Sequence, residues 1–484
     1  MTALSYGTPE PLEAAEHLAM VPALDVDDVL LGEGSHRGQV RMAYRLAERY
    51  DGRLLHVPRI GWHAWDGKRW AKDEKGAATR AVLSVLRRAL SESLADPELR
   101  QDVRKCEGAS AIRGVLEVAG SLPAFVAAAD ELDADPYLLN TASGTLDLRT
   151  MALRPADPAD RITKVTRGAW RPADDGGRPK PWEGFLTEVL PDEQVRAFLQ
   201  RVVGVALLGR VVEHVLPILT GTGGNGKGVF YGALLHALGD YAAAAEPDLF
   251  MARDGAHPTG QMDLLGRRLV VVSESDQGRR LAEATMKRLT GGDRIKARLM
   301  GRDFVEFDPS HTAFLVTNHL PKVSGDDDAI WRRVRVIPFD VVVPEERRDG
   351  QLGERLALAA DSILAWAVAG FSAYGEQGGQ LLAPDSVTVA TAAYRTDSDA
   401  LSRFLEERCY LGPVVKATTA ELFAAWSSWA VTDGADNMSQ KAFGQALDRR
   451  GLVAAAPSNG KRWREGITLS DSDDDDSSTR RWDR

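Results

Sequence analysis

Two cysteines, Cys106 and Cys409, are all that 484 residues contain, which excludes a disulfide framework and a cysteine-based zinc site. That scarcity suits a reducing cytoplasm. The N-terminal stretch MTALSYGTPEPLEAAEHL has neither a basic start nor an apolar centre, so it does not read as a signal peptide. Long hydrophobic runs are missing too. The most apolar stretch, Val202 to Leu219, is broken by Arg210, Glu213 and His214 and reads as a buried helix and strand, not a membrane span. Nor is there an excess of positive charge. The chain has 60 Lys and Arg against 70 Asp and Glu, a net charge of −10, so any grip on nucleic acid must come from a local basic patch. What remains, 44% hydrophobic and 27% charged residues, is ordinary for a globular chain, and the length has room for roughly two to four domains.

The most informative stretch is Leu216 to Leu238, LPILTGTGGNGKGVFYGALLHAL. A short apolar run leads into a glycine-rich turn and then a helix-period pattern with Phe230, Leu234 and Leu238 on one face. The turn, Gly221-Thr222-Gly223-Gly224-Asn225-Gly226-Lys227-Gly228, is a G-x-x-x-x-G-K phosphate loop. Its glycines let consecutive N–H groups face phosphate oxygens, Lys227 can reach the outer phosphates, and the following helix offers its positive end. Gly228 departs from the motif. A Ser or Thr there would give a hydroxyl to Mg²⁺, so water or a neighbour such as Thr222 must substitute.

An ATP-hydrolysing site also needs a carboxylate at the end of a rigid strand, to polarise water and help hold metal. Leu269-Val-Val-Val-Ser-Glu274 supplies one in Glu274, with Asp276 as a second metal candidate. A third apolar run, Thr312 to Val316, ends at Thr317-Asn318. Asn318 is either a polar sensor of the γ-phosphate or the start of a turn. Arg332 and Arg333 open a further strand, Val334 to Phe339, and are candidates for donating to transition-state charge, or for pairing with Asp326–Asp328. Lys287 to Arg302, KRLTGGDRIKARLMGR, is strongly basic. It reads as a hairpin presenting Arg294, Lys296, Arg298 and Arg302 to a phosphate backbone, or as a solvated basic face.

Elsewhere, composition divides the chain. Residues 1–35 are Pro/Gly-punctuated and expected to be disordered, and 36–175 form an N-terminal α/β domain. That domain holds a hairpin around Asp66-Gly67, whose Trp62, Trp65 and Trp70 either stack bases or pack together. RPADDGGRPKPW (171–182) has linker composition, and 176–395 form an α/β ATPase domain. Residues 396–470 read as helix, helix and a hairpin with Asn459-Gly460 at its tip, a winged-helix order. In that domain Gln440, Lys441, Gln445, Arg449 and Arg450 are candidates for a recognition helix, with Lys461, Arg462 and Arg464 in the wing. A domain that contacts protein instead would look the same. The tail 471–484 is acidic and expected to be disordered.

Taken in order, TGTGGNGKGVF, LVVVSES, KRLTGGDRIKAR, FLVTNHLP and AIWRRVRVIPF resemble the motifs of superfamily 3 DNA helicases, in the phage and plasmid primase–helicase branch. LLNTASGTLDLRT and GWHAWDGKRW are similar to the helicase-associated α/β domain of that branch. The resemblance implies a P-loop, AAA+-like ATPase core and a ring, usually a hexamer, with ATP and Mg²⁺ between subunits. It implies 3′ to 5′ translocation on single-stranded or forked DNA. Gly221 to Lys227 would bind phosphates, Glu274 would be the catalytic acid, Asn318 the sensor, and Arg333 or Arg332 the finger acting across subunits. Lys296 and Arg298 would contact DNA. The expected function is an ATP-dependent replicative helicase, with an ATP-switched origin-binding initiator or loader as the alternative. About 40 leading residues are too few for a primase fold, so a separate primase is expected as partner, with no membrane association.

Overall fold

A computed structural model describes residues 36–171, 181–252, 258–274, 278–298, 304–323, 327–433, 435, 438–455 and 462–470. The segments 1–35 and 471–484, the candidates Asp276, Arg302 and Lys461, and the Asn459-Gly460 tip lie outside the described residues. The chain divides into two compact units, one of residues 1–64 with 72–127 and one of 65–71 with 128–484. The division falls inside the 36–175 segment that composition marks as one domain.

The first unit opens with α1 (Gly38–Tyr50), followed by the antiparallel pair β1 (Leu54–Val57) and β2 (Gly61–Trp65). The tight turn at Asp66–Arg69 and residues Trp70 and Ala71 of β3 (Trp70–Lys72) belong to the second unit, and the chain returns to the first at Lys72. Helices α2 (Ala77–Glu92), α3 (Pro97–Cys106) and α4 (Ala109–Ala119) complete the unit. Met42, Leu46, Val82, Val85, Val103 and Val115 fill its core at the helical spacing expected for packed amphipathic faces. Trp62 packs on His56 and edge-on to Phe125, with ring centroids 4.9 and 5.5 Å away.

In the second unit Trp65 lies 5.7 Å from Trp70, whose indole N–H donates to Pro158 O. Trp70 is thus a buried packing residue, and Trp62 and Trp65 are half-buried against other rings. A small antiparallel sheet follows, β4 (Leu138–Thr141), β5 (Gly144–Asp147) and β6 (Ala152–Arg154). After α5 (Pro181–Val189) and α6 (Glu193–Ala206) the main sheet begins. Its elements, with intervening helices, are β7 (Leu216–Thr220), α7 (Lys227–Leu238), β8 (Ala242–Ala245), β9 (Leu269–Glu274), α8 (Glu283–Gly291), the hairpin β10 (Ile295–Ala297) and β11 (Val305–Phe307), β12 (Thr312–Thr317), α9 (Asp328–Trp331) and β13 (Val334–Pro338). Five strands pair in parallel in the order β13-β7-β12-β9-β8. Parallel sheets are covered on both faces, so their strands are apolar throughout, as in Leu269-Val-Val-Val272. The expected α/β class holds in this sense.

The sheet is flanked by α6 and α7 and, beyond α10 (Leu352–Leu358), by α11 (Ala360–Glu376). Helices α6 and α11 cross at glycines. A Cβ on Gly370 would fall 2.1 Å from Gln200 O, and one on Gly204 would fall 2.2 Å from Phe371 N. No single helix among the described residues is long and apolar enough to cross a membrane. The bent pair 345–358 with 360–376 passes that test by composition only, and Ile363, Leu364 and Ala367 of α11 are buried in the core.

The C-terminal region runs α12 (Asp385–Ser398), α13 (Ala400–Arg408), β14 (Cys409–Thr418), α14 (Thr419–Asp433), α15 (Gln440–Arg449) and β15 (Trp463–Leu469). Strand β14, which the sequence pattern hides behind Gly412-Pro413, pairs antiparallel with β15 ahead of the two helices. Phe404, Trp426, Trp429 and Phe443 form its core. Of two residues expected to face nucleic acid, Arg464 is an internal strut and Arg450 is half-buried in an ion pair. Arg464 is 2% exposed and donates to Asp448, Thr419 and Gly444 O. Arg450 is bound to Asp399 at 2.6 Å. The Arg464 guanidinium, surrounded by fixed acceptors, is held inside and has no reach outward.

Candidate nucleotide site and basic hairpin

The glycine turn leaves β7 and enters α7 with Gly221, Gly224 and Gly226 all at positive φ, 144°, 77° and 83°. L-residues rarely adopt these angles, and glycine does so without a Cβ clash. The space is also taken. A Cβ on Gly221 would lie 2.4 Å from Phe339 O, and one on Gly226 would lie 2.7 Å from Val189 of α5. Behind the loop, Trp182 packs against Phe185, Phe230 and Trp366, giving a rigid base. Asn225 is 3% exposed and its side-chain amide donates to Phe339 O at 2.9 Å, tying the loop to the end of β13.

Lys227 is the first residue of α7 and is 5% exposed. Its ammonium donates to Gly221 O (2.5 Å), Asn225 Oδ1 (3.2 Å) and Thr222 O (3.3 Å). Burial holds its pKa below that of an ordinary lysine. Loop and lysine thus form a concave turn at the head of a 12-residue helix, the arrangement that accepts a polyphosphate. Position 228 is open, since a Cβ there would meet nothing within 4 Å. The missing hydroxyl is therefore not a steric consequence of the fold. Thr222 and Gly223 stand exposed at the loop's rim.

Sheet register brings the other candidates to the same edge. Thr220, the last residue before the loop, is paired with Thr317 and Pro338, and Thr317 is paired with Glu274. Glu274 therefore ends β9 level with the start of the loop, and Asn318 directly follows β12 there. Asn318 is exposed. Thr317, 2% exposed, closes the turn beneath it by donating to His319 O at 2.6 Å. Ligands of parallel sheets bind outside these carboxyl ends. Among the described residues no three His, Cys, Asp or Glu side chains gather as a metal cage.

Arg332 and Arg333 follow α9, whose Asp327 caps it by accepting from the Ala329 N–H and also pairs with Lys287 of α8. The neighbouring lysine holds the Asp327 carboxyl below the usual range. The two arginines differ. Arg332 is exposed, whereas Arg333 is half-buried, donates to Ala329 O at 2.8 Å and approaches Gly291 at the base of the hairpin.

Between β9 and β12 the basic segment does form a hairpin. It is partly neutralised: Arg294 pairs with Asp308 at 3.2 Å and Lys296 with Glu306 at 3.1 Å. These pairs are well exposed, so they contribute little and give way to a stronger anion. Arg298 has no carboxylate partner among the described residues. It lies 5.0 Å from the ring of Phe304, with Lys296 5.6 Å from the same ring. Phe304 is 40% exposed. Sequence reading passed over this aromatic, although a Phe closing a basic hairpin was a visible signal.

Comparisons with known proteins find two family models and several distant relatives. A family described as D5 N terminal like matches residues 43–191, and one described as of unknown function matches 219–333, the stretch from the glycine loop to Arg333. "Putative helicase L207/L206" of Acanthamoeba polyphaga mimivirus is 27% identical over 295 residues, 57% of this chain and 30% of that protein. "Putative primase C962R" of African swine fever virus (strain Badajoz 1971 Vero-adapted) is 22% identical over 329 residues, 62% of this chain and 34% of that protein. The chain thus matches about a third of the length of these curated relatives. The A form apo structure of the NrS-1 C terminal region aligns over 90% of this chain and 100% of its own, at 10% identity and a TM-score of 0.49. These relatives carry the printed names putative helicase and putative primase, and their likeness to this chain lies within part of their length.

Proposed function

We propose that the protein is an ATP-driven DNA helicase of the superfamily 3 type, working as a ring of identical subunits on single-stranded and forked DNA. The observation that carries this reading is the common edge of the parallel sheet. The glycine loop with Lys227, Glu274 and Asn318 all emerge there, with a basic hairpin inserted between the strands that carry the last two.

The residues present fit a Mg²⁺–ATP complex. The glycine loop and Lys227 would hold the phosphates. Lys227 would exchange its bonds to Gly221 O and Thr222 O for phosphate oxygens. Glu274 would orient and polarise the attacking water, and Asn318 would hydrogen-bond water and the γ-phosphate. Mg²⁺, for which Glu274 and Asp276 are the candidate carboxylates in the sequence, would supply neutralisation of phosphate charge when bound. Of the two arginines, exposed Arg332 is the better placed to reach a neighbouring subunit, whereas Arg333 is half-buried and bonded to Ala329 O of its own chain. Arg294, Lys296, Arg298 and Arg302 would grip the DNA backbone. The alternative, an ATP-switched initiator that reads an origin with its C-terminal domain, loses two of its candidate contacts to the internal bonds of Arg450 and Arg464.

Strand displacement on a forked duplex tests the reading. ATP-dependent separation that is absent in Lys227→Ala supports it. Site-specific protection of duplex DNA with no strand separation would favour the initiator.

A further inference from the structure

The chain leaving β13 is fastened to the glycine loop by its backbone, the Val343 N–H donating to Gly224 O at 2.9 Å. A single 3-10 turn, Glu345–Arg347, then reverses the chain, with the Arg348 N–H donating to Glu345 O at 3.1 Å. The turn sends its two arginines different ways. Arg347 reaches Glu188 of α5 at 2.7 Å. Arg348 instead donates from Nε to Val343 O at 3.0 Å. That bond fixes the guanidinium plane and leaves both terminal nitrogens for another acceptor. Nη2 lies 2.6 Å from the point that a Cβ on Gly224 would occupy. Among the described residues Arg348 makes no ion pair, and the adjacent Asp349 is taken by Arg355.

A guanidinium pinned against a phosphate loop, with no carboxylate to neutralise it, is a preformed half of an arginine–phosphate pair. We propose that Arg348 is a phosphate-binding residue acting in cis, its terminal nitrogens donating to oxygens of the nucleotide's phosphate chain beside Gly224. This rests on the ATP reading of the loop and adds a residue that no motif in the sequence marks. It also gives Gly224 a second reason to be glycine, because the guanidinium fills the space of a side chain. With Gly228 offering no hydroxyl to a metal, a second fixed cation supplies part of the missing hold.

Equilibrium titration of the full chain with a fluorescent ATP analogue, and with ADP in competition, tests the assignment. Arg348→Gln is expected to weaken binding by about tenfold or more, the scale of a lost charge-assisted hydrogen bond. Arg348→Lys should recover part of the loss, and thermal unfolding without nucleotide should be unchanged in both. Arg348→Gln that binds like wild type, while Lys227→Ala has lost binding, overturns the role of Arg348 and leaves the ATP reading standing. A variant that lowers the unliganded Tm at unchanged affinity, or fails to fold, marks a structural strut and also overturns it. Wild-type protein that binds neither nucleotide removes both readings.

Discussion

Gly228 sets the residue scale of the problem. A P-loop ordinarily presents a hydroxyl there, and this chain presents none although the position is open. Gly228→Ser should be accepted without loss of stability, since it adds a side chain facing open space in the first turn of α7 and removes a helix glycine worth up to about 0.5 kcal/mol. Nucleotide titrations with and without Mg²⁺ should show a larger metal dependence in Gly228→Ser than in wild type. An unchanged metal dependence would mean that the hydroxyl has no place at this site. His311 is a second residue with a definite consequence. It is 3% exposed, neither ring nitrogen has a hydrogen-bond partner among the described residues, and burial pushes its pKa down to about 4 from 6.5. The unfolded chain therefore binds the extra proton first as pH falls. Stability contributed by the neutral ring is complete above about pH 6.5 and is lost toward pH 4, up to about 3 kcal/mol in all. Urea midpoints at pH 7.5 and 5.0 should fall further apart in wild type than in His311→Leu. Equal separations would contradict this origin.

At the scale of elements, the strands that build the site were legible because they are buried on both faces. β7, β9, β12 and β13 appear in the sequence as apolar runs ending in a functional residue or turn. The edge strand β8 is four alanines, which carry no strand signal. β14 contains Gly412-Pro413, which reads as a turn and is absorbed as an irregularity in its pairing with β15. At the site, the glycine loop was legible from spacing alone. Arg348 was not, because its position comes from a backbone bond between segments far apart in the chain. Arg464 was misread because a charge near a wing looks like a DNA contact until its acceptors are known. The α6–α11 crossing depends on glycines that no helix pattern demands. Gly370→Ala should cost about 1–3 kcal/mol by overpacking, because the new methyl meets Gln200 O and the backbone has to move. Chemical denaturation measures this, and a midpoint equal to wild type would show that the helices separate freely.

For the whole molecule, the account needs each subunit to supply one half of a shared site. In the proposed ring Glu274 would belong to the half that holds nucleotide, and Arg332 to the half offered to a neighbour. Arg332→Ala should bind nucleotide normally and hydrolyse it poorly. Mixing Arg332→Ala with Glu274→Gln subunits should restore part of the hydrolysis, because some mixed interfaces carry both intact residues. Absence of any rescue would count against action between subunits. On the proposed reading the basic hairpin would tie this chemistry to DNA. It lies between the strands that carry Glu274 and Asn318, and Arg333 approaches its base. A strand held at the hairpin would therefore be expected to alter the proposed nucleotide site. The most direct test is the rate of ATP hydrolysis with and without single-stranded DNA, on wild type and Lys227→Ala. The account predicts strong stimulation by DNA in wild type and no hydrolysis in the variant. Hydrolysis indifferent to DNA, or retained in Lys227→Ala, would contradict it.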